Sequence, residues 1–404
     1  MSTATASPVQ EPICQEETDR SSLTPIKYPE IWDGYKRLQA LDWKASEIAN
    51  LLAIDRAELA TGKVPAGVRG YLKVTLGLFA FADKRVIANL AGNIIQRIKV
   101  TEFCYYYCEQ QRQEQIHDET YTLIVDAYFS HEEREEIHTA VVNNPVLAKL
   151  DKWAKSYMDE SKPLGMCIFA FALFEGVVFQ REFMTIQQIK NLNILPGLTT
   201  ANELISRDEW LHCLMACLVL KKYTVTAPSQ AEVKKTLREL MAILDELQEC
   251  AITSSIQASV EAGELPAGAT ECNFPNITRK KMHDYVRAVA DNVITEMSHY
   301  KIIYGVENPY PEQVQQALNQ QAKTNFFEYS ARTQYNQDFD TSFGLEENGE
   351  QLYATCAAVA ENTPTLSSGE TATSWAERGS GLSTAQVTAC RLGAGGADCV
   401  ACSV

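Results

Sequence analysis

The sequence is short of positive charge. It has 36 Lys and Arg residues against 52 Asp and Glu residues, a net charge of −16 over 404 residues. Binding to nucleic-acid phosphates or to an anionic membrane surface favours an excess of basic side chains, so this composition argues against both partners. The protein also starts without the basic region and apolar run of a secretory signal peptide, and we expect no later run to reach the length of a membrane span. We therefore expect a cytoplasmic protein.

Twelve cysteines are present, although nothing else in the sequence resembles a secreted, disulfide-stabilised domain. In a long protein without a secretory signal, cysteines are mostly reduced thiols. Cys213 and Cys217 lie on an apolar helical stripe, which predicts that they are small core residues.

The pattern of apolar residues divides the protein into three parts. Residues 1–25 are rich in Ser, Thr, Pro and Glu without helical periodicity, which is typical of a disordered N-terminal arm. Between residues 26 and 330 apolar residues recur at intervals of three and four, which predicts helices throughout. Several of these helices are apolar on more than one face, as the central helices of a bundle are. Residues 331–404 are rich in Gly, Ser, Thr and Ala, and they predict a long flexible tail.

The segment EQIHDETY places Glu114, His117 and Tyr121 on one helical stripe, because these residues are three and four positions apart. The same stripe carries aromatic residues, so the acid and the imidazole are predicted to be buried. A metal ion is a partner that offsets the desolvation of both groups. The Glu-x-x-His pattern alone is common on helices. It recurs at Glu135 and His138, within a charged stretch that we interpret as a solvated helix start.

A third Glu-x-x-His pattern, Glu209 to His212, lies on a different apolar helix. A ferritin-like bundle that holds two metals needs one further carboxylate from each of two other helices. Asp83 and Glu175 are single acids within otherwise apolar helical segments. We therefore predict an all-α, ferritin-like helical bundle with a dinuclear metal site in its core, with the ligands Asp83, Glu114, His117, Glu175, Glu209 and His212. Oxygen donors with only two nitrogens favour iron or manganese over zinc.

Tyr121 lies one helical turn beyond the first imidazole, close to the metal site but outside the ligand set. Phe179, Phe183 and Ile205 lie within two turns of ligands on two other helices, and they are predicted to form an apolar wall around the phenol. A dry pocket is what a long-lived oxidised tyrosine requires. The pattern therefore predicts that the metals oxidise Tyr121.

Taken together, these residues resemble the small, radical-generating subunit of class I ribonucleotide reductase, in particular its eukaryote-like branch. The resemblance rests on Asp83 and on the segments EQIHDETY, FEGVVF, NELISRDEWLHC, VENPYPEQ and KTNFFE, and it covers roughly residues 25–345. It implies a ferritin-like homodimer with two iron ions in a di-iron-oxo centre, which uses O2 to form a tyrosyl radical at Tyr121. Manganese fits the same donors. A large catalytic subunit would then reduce ribonucleoside diphosphates to their deoxy forms.

The resemblance also implies a path for radical transfer to the large subunit. Trp43 matches the relay tryptophan of the family, and Asp208 matches the acid that links this tryptophan to His117. A tyrosine in the tail would carry the radical across the subunit interface. Tyr335 matches this tyrosine best, and Tyr329 is the competing choice.

The last part of the sequence departs from the family pattern. The segment DFDTSFGLEEN resembles the peptide that docks on the large subunit, but the sequence extends more than fifty residues beyond it. Cys399 and Cys402 form a Cys-x-x-Cys pair there, on a Gly-rich tether, which resembles the redox tail of the large subunit. We hypothesise a dithiol shuttle served by a thioredoxin-type or glutaredoxin-type reductant. The alternatives are a metal-scavenging pair and an incidental one.

Two other functions are compatible with the ligand set. A stand-alone ferritin-like di-metal oxidase would act on a small or lipid substrate without a partner subunit, but it needs neither Tyr121, Trp43 nor a docking peptide. A non-enzymatic iron-storage or regulatory homologue would keep the ligands and form no radical. The full set of ligands, pocket and relay favours the small subunit of ribonucleoside-diphosphate reductase.

Overall fold

The computed structural model describes residues 10–17, 20–274 and 276–311, apart from the side chain of Asp83. Within these ranges the protein forms helices joined by turns, and they contain no β-strand. The prediction of an all-α fold is confirmed. Tyr329 and the predicted tail, which contains Tyr335, Cys399 and Cys402, lie outside the described residues, and the tail boundary at residue 331 stays a prediction.

Twelve α-helices occur in the described ranges, and two π-helical turns, Leu90–Ile94 and Phe174–Val178, join α3 to α4 and α8 to α9. The helices are α1 Pro29–Ala40, α2 Ala49–Ala60, α3 Ala66–Asn89, α4 Ile95–Arg97, α5 Thr101–Tyr128, α6 His131–Val142, α7 Pro145–Met158, α8 Leu164–Leu173, α9 Gln180–Lys190, α10 Pro196–Tyr223, α11 Gln230–Glu261 and α12 Arg279–Glu296.

Four long helical segments form the central bundle: α3, α5, the continuous run of α8 and α9, and α10. Helix α3 packs against α5, α10 packs against α8 and α9, and α5 contacts α10. Every residue of α8 is buried, because its sequence is apolar on all faces. The remaining long helices cover this centre, with α1 on α5, α2 on α10, α11 on α3 and α12 on the second π-turn. The centre of the bundle is therefore shielded from solvent.

The run Leu164–Lys190 is long and apolar enough to cross a membrane by length and composition alone. This differs from the expectation that no run would reach that length. In its most apolar window 94% of the residues are buried inside the protein. Neighbouring helices therefore surround this run, and the central helix of a bundle produces the same signature.

The described residues of the predicted N-terminal arm pack against the helices. Ile13 is buried, and its carbonyl accepts a hydrogen bond from the Lys99 backbone N–H at 2.9 Å. The Glu11 carboxylate accepts from the backbone N–H groups of Val225 and Thr226 at 2.7 and 2.9 Å. These contacts join residues that are far apart in sequence, and no local period reveals them. Composition alone therefore indicated an arm and gave no sign of the contacts.

Candidate metal centre

Five of the six predicted metal ligands meet in the middle of the bundle. Glu114 and His117 come from α5, Glu209 and His212 from α10, and Glu175 from the second π-turn. All five side chains are at most 1% exposed. Ligand atoms of Glu114, Glu175, Glu209 and His212 all lie within 4.8 Å of one another. The sixth predicted ligand, on α3, has a side chain outside the described part of the protein.

Both imidazoles direct Nδ1 at the same two carboxylates. His117 Nδ1 lies 2.9 Å from Glu209 Oε1 and 3.5 Å from Glu114 Oε2. His212 Nδ1 lies 2.9 Å from Glu114 Oε1 and 3.6 Å from Glu209 Oε2. Each carboxylate therefore faces both rings, so both acids would be within reach of a cation held by either histidine.

The donor set fits a metal centre. Both carboxylate oxygens of Glu114, Oε2 of Glu209 and Nδ1 of both histidines are buried and make no well-aligned hydrogen bond within the described structure. An unsatisfied buried polar atom costs about 1–3 kcal/mol, so such atoms are rare in folded proteins. Cations between the carboxylates would satisfy these atoms together. Because most of the donors are oxygens, the set suits iron or manganese better than zinc.

The carboxylates also control the protonation of the histidines. Burial acts to lower the pKa of His212, but the close approach of Glu114 and Glu209 raises this pKa to about 9. Burial likewise opposes protonation of His117, whose pKa is nevertheless well above its usual value because of Asp208 and the two glutamates. Burial acts to raise the pKa of Glu209, yet its interactions with the two histidines lower it. Metal binding would therefore displace protons from this cluster.

The structure places Trp43 and Asp208, the two residues that the resemblance assigned to radical transfer, beside His117. The Trp43 indole N–H donates to Asp208 Oδ2 at 2.8 Å, and the same oxygen lies 3.4 Å from His117 Nε2. The Trp43 and His117 rings also stack, with centroids 6.1 Å apart. Arg207 holds the other carboxylate oxygen at 2.8 and 3.0 Å and donates to the Leu41 carbonyl at 2.8 Å. Asp208 is therefore fixed between the indole and the metal centre.

Tyr121 lies in an apolar pocket and is 3% exposed. Phe79 stacks on its ring, with centroids 4.4 Å apart and an interplanar angle of 16°. Phe183 and Phe179 lie 5.5 and 6.0 Å from Phe79, and 6.0 Å from each other. Ile205 is buried on α10. The structure thus brings the two predicted phenylalanines to the aromatic cluster that covers Tyr121.

The π-turn Phe174–Val178 carries Glu175 into the centre. Such turns insert one residue into a helix and are frequent at functional sites. A Cβ atom added to Gly176 would lie 2.3 Å from Cys213 Sγ, so only glycine lets the turn approach α10 this closely. The Gln110 amide N–H donates to Glu175 Oε1 at 2.9 Å and orients this carboxylate.

Sequence reasoning missed four residues of the site: Phe79, Gln110, Gln113 and Arg207. Gln113 and Arg207 directly precede predicted site residues, and Phe79 lies one helical turn before Asp83. Helical geometry alone could have placed each of these four residues beside the predicted site. Residue type gave no signal, because a neutral amide, a phenylalanine or an arginine has many other roles in a helical protein.

The fold and the site define a class of protein: a helical bundle whose core carries a carboxylate and histidine cluster suited to a metal centre. Residues 20–309 match the family described as "Ribonucleotide reductase, small chain". The protein belongs to this family, and it is therefore a subunit of an oxidoreductase, ribonucleoside-diphosphate reductase.

Curated relatives support the same family. The ribonucleoside-diphosphate reductase small subunit of African swine fever virus (isolate Pig/Kenya/KEN-50/1950) is 35% identical over 322 residues, which make up 79% of this protein and 92% of the viral one. The small subunit of Nicotiana tabacum is 32% identical over 320 residues, which make up 79% of this protein and 89% of the plant one. The match therefore spans most of the length of these relatives.

Solved structures share the fold. The Rnr4 homodimer of Saccharomyces cerevisiae ribonucleotide reductase has a TM-score of 0.62 and 24% identity, covering 77% of this protein and 93% of that one. The dimanganese(II) form of NrdF from Streptococcus sanguinis has a TM-score of 0.56 and 14% identity, and the match covers 71% of this protein and 94% of that one. At these identities the likeness concerns the fold alone. The predicted ferritin-like bundle is confirmed.

Proposed function

We propose that this protein is the radical-generating subunit, which forms a tyrosyl radical at Tyr121 and passes it to a separate large subunit. The observation that carries the proposal is a continuous set of buried groups. A cluster of metal-ligand side chains lies on α5 and α10, Tyr121 follows one turn later on α5, and Asp208 joins the cluster to Trp43. An autonomous oxidase requires the first of these features but not the other two.

The metals would be held by the five described ligands, together with Asp83 on α3. Two iron ions bound here would supply the oxidising equivalents from O2, which would be reduced to water as the Tyr121 phenol loses an electron and a proton. We propose iron for this protein, and manganese fits the same donors.

The protein's own contribution to the radical is exclusion of water and control of the transfer route. The aromatic wall around Tyr121 keeps water and reductants from the phenol. Asp208 accepts a hydrogen bond from the Trp43 indole and faces His117 Nε2. The buried Asp208 carboxylate therefore keeps a partner on each side while charge moves between Trp43 and the centre.

The partner would be a large catalytic subunit, in which ribonucleoside diphosphates are reduced to deoxyribonucleotides in the cytoplasm. We propose that the small subunit is a homodimer and that residues 338–348 dock on the large subunit. Tyr335, with Tyr329 as the alternative, would carry the radical across that interface.

Electron paramagnetic resonance tests the radical directly. Metal-free protein is loaded with ferrous iron without oxygen, exposed to O2 and frozen, and we expect an organic radical signal that Tyr121→Phe abolishes. Tyr107→Phe is the matched control, since Tyr107 is also buried on α5 and its hydroxyl makes no hydrogen bond within the described structure. Metal uptake without a radical in the unmodified protein would contradict the proposal and favour an oxidase or storage role.

We also propose that Cys399 and Cys402 act as a dithiol shuttle for the large subunit. Replacement of both cysteines by serine should then lower multiple turnover of the assembled enzyme with a thioredoxin-type or glutaredoxin-type reductant, while a single turnover is unaffected. Equal multiple turnover in the two proteins would show that the pair has no such role.

A further inference from the structure

The two helices that each supply a glutamate and a histidine to the site repeat one short pattern, RQEQIH on α5 and RDEWLH on α10. In each, a polar residue directly before the glutamate reaches across to the histidine of the other helix. Asp208 Oδ2 lies 3.4 Å from His117 Nε2, and Gln113 Oε1 lies 2.9 Å from His212 Nε2. The centre therefore has an internal two-fold relation, in which Gln113 takes the place of Asp208.

The orientation of the Gln113 amide is fixed by its second contact. Its Nε2 donates to the Leu38 carbonyl at 3.4 Å, and a carbonyl oxygen only accepts hydrogen bonds. With Nε2 facing the Leu38 carbonyl, the amide oxygen faces His212 and accepts a hydrogen bond from the tautomer of His212 that carries its proton on Nε2. Nδ1 is then the nitrogen left for a metal, and it points at Glu114 Oε1 from 2.9 Å. Gln113 is 1% exposed, so water does not compete for this contact.

The two orienting groups differ in charge and in what lies behind them. A carboxylate that accepts from a metal-bound imidazole increases the electron donation of the ring, and a neutral amide does so less. Asp208 continues to the Trp43 indole, whereas Gln113 continues to a backbone carbonyl at the end of α1. The two histidines are therefore alike in position and unlike in environment.

We propose that Gln113 is a positioning residue, which turns His212 Nδ1 toward the metals and makes the metal position at His212 the weaker of two unequal ones. This inference rests on the proposed two-metal centre. Partners of this kind typically change metal affinity by about 10–100-fold when they are removed.

The experiment is a titration of the metal-free protein with Mn²⁺, with the free ion counted by electron paramagnetic resonance. We expect two equivalents of unequal affinity in the unmodified protein. Gln113→Leu should weaken one equivalent by about 10–100-fold and leave the other almost unchanged. Gln113→Glu should tighten the weaker equivalent and bring the two affinities together. Gln113→Met, which keeps the side-chain length, replaces the leucine variant if that variant does not fold.

Gln115→Leu is the matched control, because Gln115 lies on the same helix but is exposed to solvent. The inference is overturned if Gln113→Leu binds Mn²⁺ with the same two affinities as this control. It is also overturned if Gln113→Leu loses affinity equally at both metal positions. Either result would leave the two-metal centre intact. Failure of the unmodified protein to bind two equivalents would refute the proposed centre itself and, with it, the inference. The titration therefore separates the two failures without any measurement of activity.

Discussion

Phe79 covers the ring of Tyr121 face to face and is itself fully buried. It also contacts Phe183, so one side chain links the phenol to the aromatic wall on α9. A radical on Tyr121 would be protected only as long as small reductants cannot reach the ring. Phe79 would therefore control access to such a radical, although it lies outside the ligand set.

Phe79→Ala should shorten the lifetime of the Tyr121 radical, because it opens a cavity directly on the ring. Substitutions of this kind in a core also cost about 3–5 kcal/mol of stability. Decay of the radical signal is measured after addition of a small water-soluble reductant. Phe81→Ala on the same helix is the control, since Phe81 is only partly buried. Equal decay in the two variants would show that Phe79 does not guard the phenol.

Residue type decides which site residues the sequence predicts. Glu114 and Glu209 were found because a buried acid is costly and needs an explanation. Phe79 is one of 14 phenylalanines, each of which has core packing as its default role, so residue type did not set it apart. Gln113 became significant only once the structure placed it against His212.

At the scale of elements, the π-turn between α8 and α9 determines where Glu175 points. A regular helix was predicted through this region, and the extra residue of the turn changes the face on which the following residues lie. Gly176 in this turn closely approaches Cys213 on α10, a contact between helices that helical periodicity does not contain. The bundle was therefore predictable from the sequence, but the local geometry of this ligand was not.

Gly176→Ala should disturb the metal centre through the backbone, because the new Cβ would lie 2.3 Å from Cys213 Sγ. We expect weaker Mn²⁺ binding and a loss of about 1–3 kcal/mol of stability from overpacking. The control is Gly92→Ala in the other π-turn, where nothing lies within 4 Å of the added Cβ. That change should leave metal binding intact. Identical behaviour of the two variants would mean that the close approach does not position Glu175.

For the whole molecule, the N-terminal residues connect α5 and α10, the two helices whose Glu-x-x-His patterns supply predicted metal ligands. Glu102 in the first turn of α5 accepts hydrogen bonds from Arg20 Nη1 and Nη2 at 2.7 and 3.0 Å and from the Lys27 backbone N–H at 2.7 Å. Glu11 binds the backbone just after α10. Composition alone did not predict these anchors, because each depends on one acid meeting a distant donor.

Glu102 should make stability depend on pH in a defined direction. Burial acts to raise its pKa, but hydrogen bonds from Arg20 and the Lys27 backbone lower it below the usual value. A carboxyl group with a depressed pKa in the folded state stabilises the protein above its unfolded pKa, about 4.3 for Glu, and this contribution is lost as pH falls through the folded pKa. Glu102→Gln should therefore cost about 2–3 kcal/mol at neutral pH.

Urea unfolding of the metal-free proteins between about pH 8 and about pH 2 measures this contribution without interference from metal release. The difference between the unmodified protein and Glu102→Gln should be largest at neutral pH and should narrow once the pH falls below the unfolded pKa and through the lower folded pKa. Glu30→Gln is the control, because the Glu30 carboxylate pairs with Lys222 at an exposed site, where solvent screens the interaction. A difference for Glu102→Gln that stays constant across the range would show that the charge of Glu102 does not hold the N-terminal residues on the bundle.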